Sequence, residues 1–107
     1  MNPIISRGLV YAATYFSAIL FRRSEMTVAI LHLALLAILI YMSPADTVKA
    51  ALIAGPLMTF AEYICITNYS MWKYNNATGP IPSWLLFAWT LVAFFIIDVF
   101  RFVKKYL

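Results

Sequence analysis

Three ionisable side chains interrupt the apolar stretches of this sequence and are its first candidates for chemistry: His32, Glu62 and Asp98. Such groups are costly inside a membrane and mark candidate functional sites. Glu62 and His32 together could act as a general acid and base, or as a proton relay. The plainer alternative is a polar contact that fixes helix register. One histidine and one carboxylate fall short of the usual three protein ligands, so we expect no metal and no cofactor.

Four aromatic residues close to Glu62 in the sequence are the candidate binding residues: Trp72, Tyr74, Trp84 and Trp89. The first three are typical of a membrane interface, where a ring lies at headgroup depth with its polar edge toward water. Trp89 lies about one and a half turns inside the last apolar run. A buried indole N–H needs an acceptor. Either Glu62 or a backbone carbonyl freed by Pro56 would provide that acceptor.

The composition indicates that these residues lie in an integral membrane protein. Of 107 residues, 64% are hydrophobic and 11% are charged, whereas soluble domains have about half and about a quarter. A chain of this length can hold about four spans of roughly 20 residues each. The basic residues mostly flank the apolar runs, as anchors at lipid headgroups do, so we expect membrane lipids and no nucleic acid as partners.

Four apolar runs predict an all-α, integral membrane four-helix bundle that forms one domain over residues 1–107. The predicted spans are about 4–21, 26–42, 46–66 and 84–103, with a long loop over 67–83. The first run is short for a full span unless Arg7 snorkels toward the headgroups. The alternative is three spans plus an interfacial N-terminal helix. Arg22 and Arg23 follow the run without a convincing cleavage site, so we expect a retained helix and not a signal peptide.

Helical rise places the ionisable groups at two depths. His32 lies about 9 Å, and Glu62 about 6 Å, below the face that carries the long loop. These two residues and Trp89 therefore could form one layer. Asp98 lies about 21 Å from Trp84, nearer the opposite face. We expect Asp98 to pair with Arg101, three residues further along the same helix.

Short polar segments predict the helix starts. Ser43 is the predicted N-cap of the third helix, with Pro44 at its first position and Asp46 in its first turn. The second and third spans should then form a tight antiparallel hairpin. Ser83 is the predicted N-cap of the fourth helix.

Small residues at four-residue spacing predict close helix packing on two helices. Gly8 and Ala12 form such a pair in the first run, and Ala51 and Gly55 form one in the third. Pro56 follows Gly55 and should kink its helix, because proline lacks a backbone donor.

Basic residues near the predicted spans favour an orientation with both termini inside and the long loop outside. Five lie on the terminal side and three on the loop side: Arg7, Lys49, Arg101, Lys104 and Lys105, against Arg22, Arg23 and Lys73. Asn68 and Asn76 begin two glycosylation tripeptides, which agree with an external loop. Cys65 has no cysteine partner, so no disulfide is predicted.

The second half of the chain resembles a family of small, uncharacterised polytopic membrane proteins from bacteria, algae and large DNA viruses. That family shares a Glu, a Trp-x-Tyr and an Ile-Pro-x-Trp-Leu-x-x-x-Trp signature. The matching residues here are Glu62, Trp72, Tyr74, Pro82, Trp84 and Trp89. The resemblance implies a multi-pass helical fold and no established activity. It is faintly similar to carotenoid-modifying membrane proteins, which are longer and have more spans.

These patterns favour a non-enzymatic membrane subunit that packs against other membrane proteins, or against itself, in a larger assembly. A respiratory-type complex and the internal membrane of a virion are both compatible with this hypothesis. The first alternative is a protein that modifies or binds a lipid or isoprenoid through Glu62 and His32. The second is a small proton-coupled transporter built as a homo-oligomer. No glycine-rich phosphate loop, nucleophile elbow or zinc spacing points to a soluble-type enzyme.

Overall fold

The computed structural model describes residues 3–74 and 77–107, without the side chain of Ile4. Within these residues the protein consists of four α-helices and no strand. The helices are α1 (Pro3–Leu20), α2 (Glu25–Met42), α3 (Ala45–Tyr69) and α4 (Leu85–Tyr106). The predicted all-α, four-helix fold is confirmed. Most helix ends lie within a residue of the prediction, and α3 and α4 each extend further at their C-terminal ends.

Three of the described helices, α2, α3 and α4, are long and apolar enough to cross a membrane. In α1, the apolar part is shorter and covers Ile5–Leu20. Many large apolar side chains point outward, including Leu57 and Phe100, which are 64% and 67% exposed. Soluble monomers rarely expose apolar surface on this scale. Three helices of this length and composition, with so much exposed apolar surface, indicate a membrane protein.

Helix α4 is the central element and packs against α1, α2 and α3. Its fully buried Phe94 and nearly buried Leu91 form the core with residues from the neighbouring helices. The other core residues are Leu36, Leu39, Ala51 and Ala93. Apolar side chains gain little by exchanging lipid for protein, so this core is stabilised mainly by dense packing between the helices.

The connection between α2 and α3 is as short as predicted and consists of Ser43 and Pro44. The two helices are nevertheless not each other's main packing partners. Helix α3 packs on α4, while α2 packs on α1 and α4. The short turn between α2 and α3 is as predicted, but the expected tight packing of these two helices on each other is not, because α4 lies against both of them.

Two predicted N-caps are wrong. Ser43 is the C-cap of α2, Pro44 occupies the N-cap position of α3, and no side chain caps that helix start. Helix α4 begins at Leu85 after Trp84, also without a side-chain cap. The backbone N–H of Ser83 donates to Glu25 of α2. The cap of α2 is of the usual kind, because the Ser24 side chain accepts a hydrogen bond from the Thr27 N–H.

The α3–α4 contact depends on a glycine. A Cβ atom on Gly55 would lie 2.1 Å from Oγ1 and 2.6 Å from Cα of Thr90 on α4. Side-chain carbon atoms do not approach other atoms this closely, so only glycine allows the observed helix spacing. Helix α3 continues through Pro56, and the Thr59 hydroxyl donates to the Gly55 carbonyl at 2.8 Å. The predicted small-residue packing of Ala51 and Gly55 therefore faces α4.

Candidate functional site

Glu62 is the centre of the candidate site, and its side chain is buried with 8% exposure. Within the described residues, its carboxylate accepts three hydrogen bonds. The Trp89 indole donates to Oε1 at 2.7 Å. The Trp72 indole donates to Oε2 at 3.2 Å, and the Tyr74 hydroxyl donates to the same oxygen. Of the two acceptors that the sequence offers for Trp89, the structure shows Glu62. Trp72 and Tyr74 are donors to Glu62 that the sequence does not predict.

The geometry of α3 directs Glu62 toward α4. The buried residues of α3 recur every three or four positions, which places them on one helical face. That face includes Ala51, Gly55, Thr59 and Glu62. The close approach at Gly55 brings the Trp89 indole of α4 within reach of the carboxylate.

A left-handed residue brings the other two donors to Glu62. Ser70, at the end of α3, has φ 51° and ψ 37°. The next residue, Met71, donates its N–H to the Cys65 carbonyl at 3.2 Å. The chain thereby turns back, and the segment 70–74 places Trp72 and Tyr74 over the end of α3. We call this segment the arm.

The hydrogen-bond donors around the Glu62 carboxylate are neutral groups: two indoles and one phenol. Among the described residues, no cationic side chain forms an ion pair with Glu62. Burial, then the hydrogen bond to Glu62 and the negative charge of that carboxylate, raise the pKa of Tyr74 above its ordinary value of 10.0. Tyr74 therefore stays protonated and can donate throughout the physiological pH range.

His32 lies near this cluster but is not bonded to Glu62. It is 1% exposed, and its ring centroid lies 5.9 Å from that of Trp84. Trp84 in turn contacts Tyr74 edge to face at 5.8 Å. Within 3–74 and 77–107, no hydrogen bond joins His32 to Glu62, and Nδ1 of His32 has no partner. The two residues share an aromatic layer, as their depths predicted, but the structure does not bring them together as an acid/base pair.

Glu25 is a second anchor for the loop, and the sequence interpretation missed it. Its carboxylate accepts the backbone N–H groups of Thr78 at 3.0 Å and Ser83 at 2.6 Å. Ser83 therefore binds Glu25 through its backbone, and its side chain does not cap α4. The available signal was an acidic residue in the first turn of α2, at the end of the bundle where the long loop lies. Glu25 and Glu62 therefore hold the loop at two separate points.

The predicted pair of Asp98 with Arg101 is wrong, because Asp98 pairs with Arg7 of α1. Arg7 donates from Nε to Oδ2 at 2.8 Å and from Nη2 to Oδ1 at 3.1 Å, and the Tyr11 hydroxyl also donates to Oδ2. Asp98 is 6% exposed and Arg7 is 8% exposed. A buried carboxylate needs several donors, and a two-point arginine contact supplies them better than a neighbour on the same helix. Arg7 accordingly is buried and does not snorkel.

Arg101 instead links α4 to the start of α3. Its guanidinium donates to Asp46 at 2.7 Å and to the Thr47 hydroxyl. Asp46 is largely exposed, so this pair lies at the surface. Asp98 and Arg101 both lie at the end of the bundle opposite Glu62, which agrees with the predicted exclusion of Asp98 from the candidate site.

The other small-residue pair, Gly8 and Ala12, lies on α1. It lines an apolar groove between α1 and α4 with a volume of about 510 Å³. A Cβ on Gly8 would have no atom within 4 Å. The groove is also lined by Tyr11, Thr14, Tyr15, Phe16, Leu91, Val92 and Phe95. Packing of Gly8 and Ala12 against another chain stays a prediction.

Among the described residues, neither Asn68 nor the Cys65 thiol is hydrogen-bonded to Glu62. Asn68 is exposed in the last turn of α3, and Asn76 lies outside the described residues. Cys65 is a partly buried free thiol. No group of three His, Cys, Asp or Glu side chains suited to a metal ion occurs in the described part of the chain.

Comparison with models of protein families, with curated proteins and with solved structures gives no match. The likeness in the second half of the chain therefore stays a resemblance, and the proposals below depend on the residues of this chain.

Proposed function

We propose that this protein is a small non-enzymatic membrane subunit that packs against other integral membrane proteins, or against itself, within a larger assembly. The observation that carries this proposal is the full engagement of Glu62. Its two oxygens bind Trp89 on α4 and two residues of the arm. A carboxylate engaged in this way holds three parts of the chain in place and is poorly placed to act as a general base.

The second buried carboxylate supports the same interpretation. Asp98 is occupied by Arg7 and Tyr11, and the resulting contact attaches α1 to α4. Both carboxylates therefore stabilise the tertiary structure. Buried polar groups that are satisfied in this way specify a single packing arrangement.

The outer surface provides the contact area that a subunit needs. The Gly8 and Ala12 pair is open to the membrane, and small residues at this spacing permit close approach of another helix. A respiratory-type complex or the internal membrane of a virion would be a suitable host. We place the long loop outside and both termini inside, on the distribution of basic residues.

Purification from the native membrane with crosslinking tests this proposal. A subunit is expected to copurify with defined membrane proteins, or with itself, at fixed stoichiometry. Glu62→Gln is expected to lower the abundance of the protein or its assembly. An enzyme would lose activity at unchanged abundance, and an isolated monomer whose deletion leaves every membrane complex intact would contradict the proposal.

A second candidate function, binding of a lipid or isoprenoid chain, is favoured by one observation. The groove between α1 and α4 is apolar, is open to the membrane and has a volume of about 510 Å³. Here the binding residues would be Phe95, Leu91 and their neighbours in the groove, and Glu62 and His32 would not take part. Native mass spectrometry of the wild type and a Gly8→Phe variant, which fills the groove, tests this function by loss of a bound lipid.

We do not extend the proposal to proton-coupled transport. Such a transporter needs Glu62 to face a lumen shared between copies, whereas Glu62 faces α4 and the arm. Retained proton flux in liposomes carrying Glu62→Gln would independently exclude the role of this residue in transport.

A further inference from the structure

We propose that the turn between α1 and α2 and the groove between α1 and α4 form one binding site for an anionic phospholipid. The phosphate binds the guanidinium groups of Arg22 and Arg23, and an acyl chain lies in the groove. This inference rests on the lipid-binding function given above to the groove. It adds the class of lipid, the headgroup contact and the leaflet that supplies the lipid.

The turn after α1 contains a pocket suited to a phosphate group. The pocket has a volume of about 480 Å³, and two adjacent arginines, both exposed, help to line it. Arg22 donates from Nη1 to the Ile19 carbonyl at 3.0 Å, which holds its side chain at the end of α1. A guanidinium is planar, stays charged and binds phosphate oxygens through parallel hydrogen bonds. The other lining residues are Leu20, Phe21 and Ser24.

Arg23 keeps its positive charge available for a ligand. Within residues 3–74 and 77–107 it forms no ion pair. The nearest acidic residue in the sequence, Glu25, accepts the backbone N–H groups of Thr78 and Ser83 instead. An anionic headgroup therefore complements the charge of this pocket better than a zwitterionic one.

The face of α1 that lines the groove leads to this pocket. Gly8, Ala12 and Tyr15 line the groove and recur every three or four positions, so they lie on one side of the helix. Ile19 is the next position in this series and is 42% exposed. An apolar surface thus runs from the groove to the turn that carries the two arginines.

The dimensions fit a lipid whose headgroup lies at the turn. Phe16 and Ala12, both in the groove, lie about 10 Å and about 16 Å along α1 from the level of Arg23. One leaflet contributes about 15 Å of hydrocarbon, half of the roughly 30 Å core. The groove volume of about 510 Å³ is typical of small-molecule sites, which span about 300–1,000 Å³. A chain anchored at Arg23 therefore reaches the groove.

The cations at the opposite end of the bundle are less suitable. Arg7 adjoins Gly8, but its guanidinium is buried and binds both oxygens of Asp98. Lys105 lies about 15 Å along α4 from Phe95, the last groove residue on that helix. A chain anchored at Lys105 would end where the groove begins. The lipid therefore comes from the leaflet next to the long loop, which Glu25 holds at the same end as Arg23.

Native mass spectrometry of the full-length protein in detergent tests the site. The protein is titrated with phosphatidylglycerol and with phosphatidylcholine of identical chains. We expect the wild type to bind phosphatidylglycerol at least about fivefold more tightly. Arg23→Gln should weaken phosphatidylglycerol binding about fivefold, the usual effect of one basic residue at an anionic surface, and leave phosphatidylcholine binding unchanged.

Two variants separate the headgroup contact from the groove. Lys104→Gln removes an exposed charge from the other end of α4 and should change neither affinity. Ala12→Phe fills the middle of the groove and should weaken binding of both lipids.

The possible failures are distinguishable. Equal affinity of the wild type for the two lipids, or a preference that Arg23→Gln leaves intact, would overturn the inference while the groove remained a lipid site. A preference that depends on Arg23 but survives in Ala12→Phe would overturn the single continuous site. Unchanged binding of both lipids in Ala12→Phe, without any preference, would contradict lipid binding in the groove itself.

Discussion

The indole nitrogen of Trp89 on α4 lies 2.7 Å from Oε1 of Glu62 on α3. This hydrogen bond connects the two helices at the loop end of the bundle, where the carboxylate is buried and has neutral donors as its partners. A bond to a charged group in such a site contributes more than an ordinary hydrogen bond. The opposite end is held by the ion pair between Arg7 and Asp98. The helices are thus joined by polar contacts near both ends and by apolar packing between them.

Removing the indole donor of Trp89 is expected to destabilise the bundle. Trp89→Phe deletes a hydrogen bond to a buried charge and should cost about 1.5–3 kcal/mol. Thermal unfolding in mild detergent, followed by circular dichroism, measures the loss. Trp84→Phe is the matched control, because the Trp84 side chain donates no hydrogen bond among the described residues. Equal loss of stability in the two variants would show that ring volume, and not the bond to Glu62, is responsible.

The helix spacing at Gly55 predicts a strong effect from the smallest possible change. Gly55→Ala adds a methyl group 2.1 Å from Oγ1 of Thr90, so α3 and α4 must move apart. Overpacking of this kind costs about 1–3 kcal/mol. Gly8→Ala is the control, since a methyl group there meets no atom within 4 Å. The stabilities of both variants in detergent are compared with that of the wild type, and a neutral Gly55→Ala would contradict the observed spacing.

Breaking the pair between Arg7 and Asp98 is expected to release α1. Asp98→Asn leaves the Arg7 charge buried without its counter-ion and should cost about 3–5 kcal/mol. Asp46→Asn removes the exposed pair with Arg101 and should cost at most about 1 kcal/mol. Protease sensitivity of the α1–α2 turn reports the release. Recovery of stability when Arg7→Leu is combined with Asp98→Leu would identify the unpaired charge as the cause.

The environment of Tyr74 predicts a loss of stability at alkaline pH. Burial and the adjacent Glu62 raise the pKa of Tyr74 above 10.0, its ordinary value. The folded protein therefore holds this proton more tightly than the unfolded chain does. The resulting stabilisation is complete below about pH 10 and is lost as the pH rises through the folded-state pKa.

Ultraviolet titration of tyrosinate formation measures this shift. Tyr74→Phe should remove a component of the absorbance change that titrates above pH 10 in the wild type. An ordinary pKa for Tyr74 would show that its hydroxyl does not donate to Glu62.

Several features of the fold follow from local sequence patterns. The apolar runs predict four helices with nearly correct bounds, because an apolar segment in lipid must satisfy its backbone internally. The regular helical rise places Glu62 and Trp89 at a similar depth, which makes Glu62 one of two possible acceptors for the indole. Ala51 and Gly55 predict a close helix contact, because only small side chains permit it.

Other contacts depended on which helices are neighbours. Asp98 has an arginine three residues away, and nothing local shows that Arg7, 91 positions earlier, would displace it. Trp72 and Tyr74 reach Glu62 because the backbone of Ser70 is left-handed. Serine does not require that conformation, so the sequence does not predict the turn. Glu25 binds the loop only because the tertiary structure places the N–H groups of Thr78 and Ser83 next to the start of α2.

The sequence by itself determined the class of protein, the number of helices and the depth at which each polar group lies, because length, hydropathy and helical rise are properties of one segment at a time. The tertiary structure decided which polar groups meet. A buried charge takes the partners that the packing brings to it, and central α4 brought Arg7 to Asp98 and Trp89 to Glu62. His32 and Glu62 are connected only indirectly in the described structure: His32 contacts the ring of Trp84, Trp84 contacts Tyr74, and Tyr74 donates to Glu62.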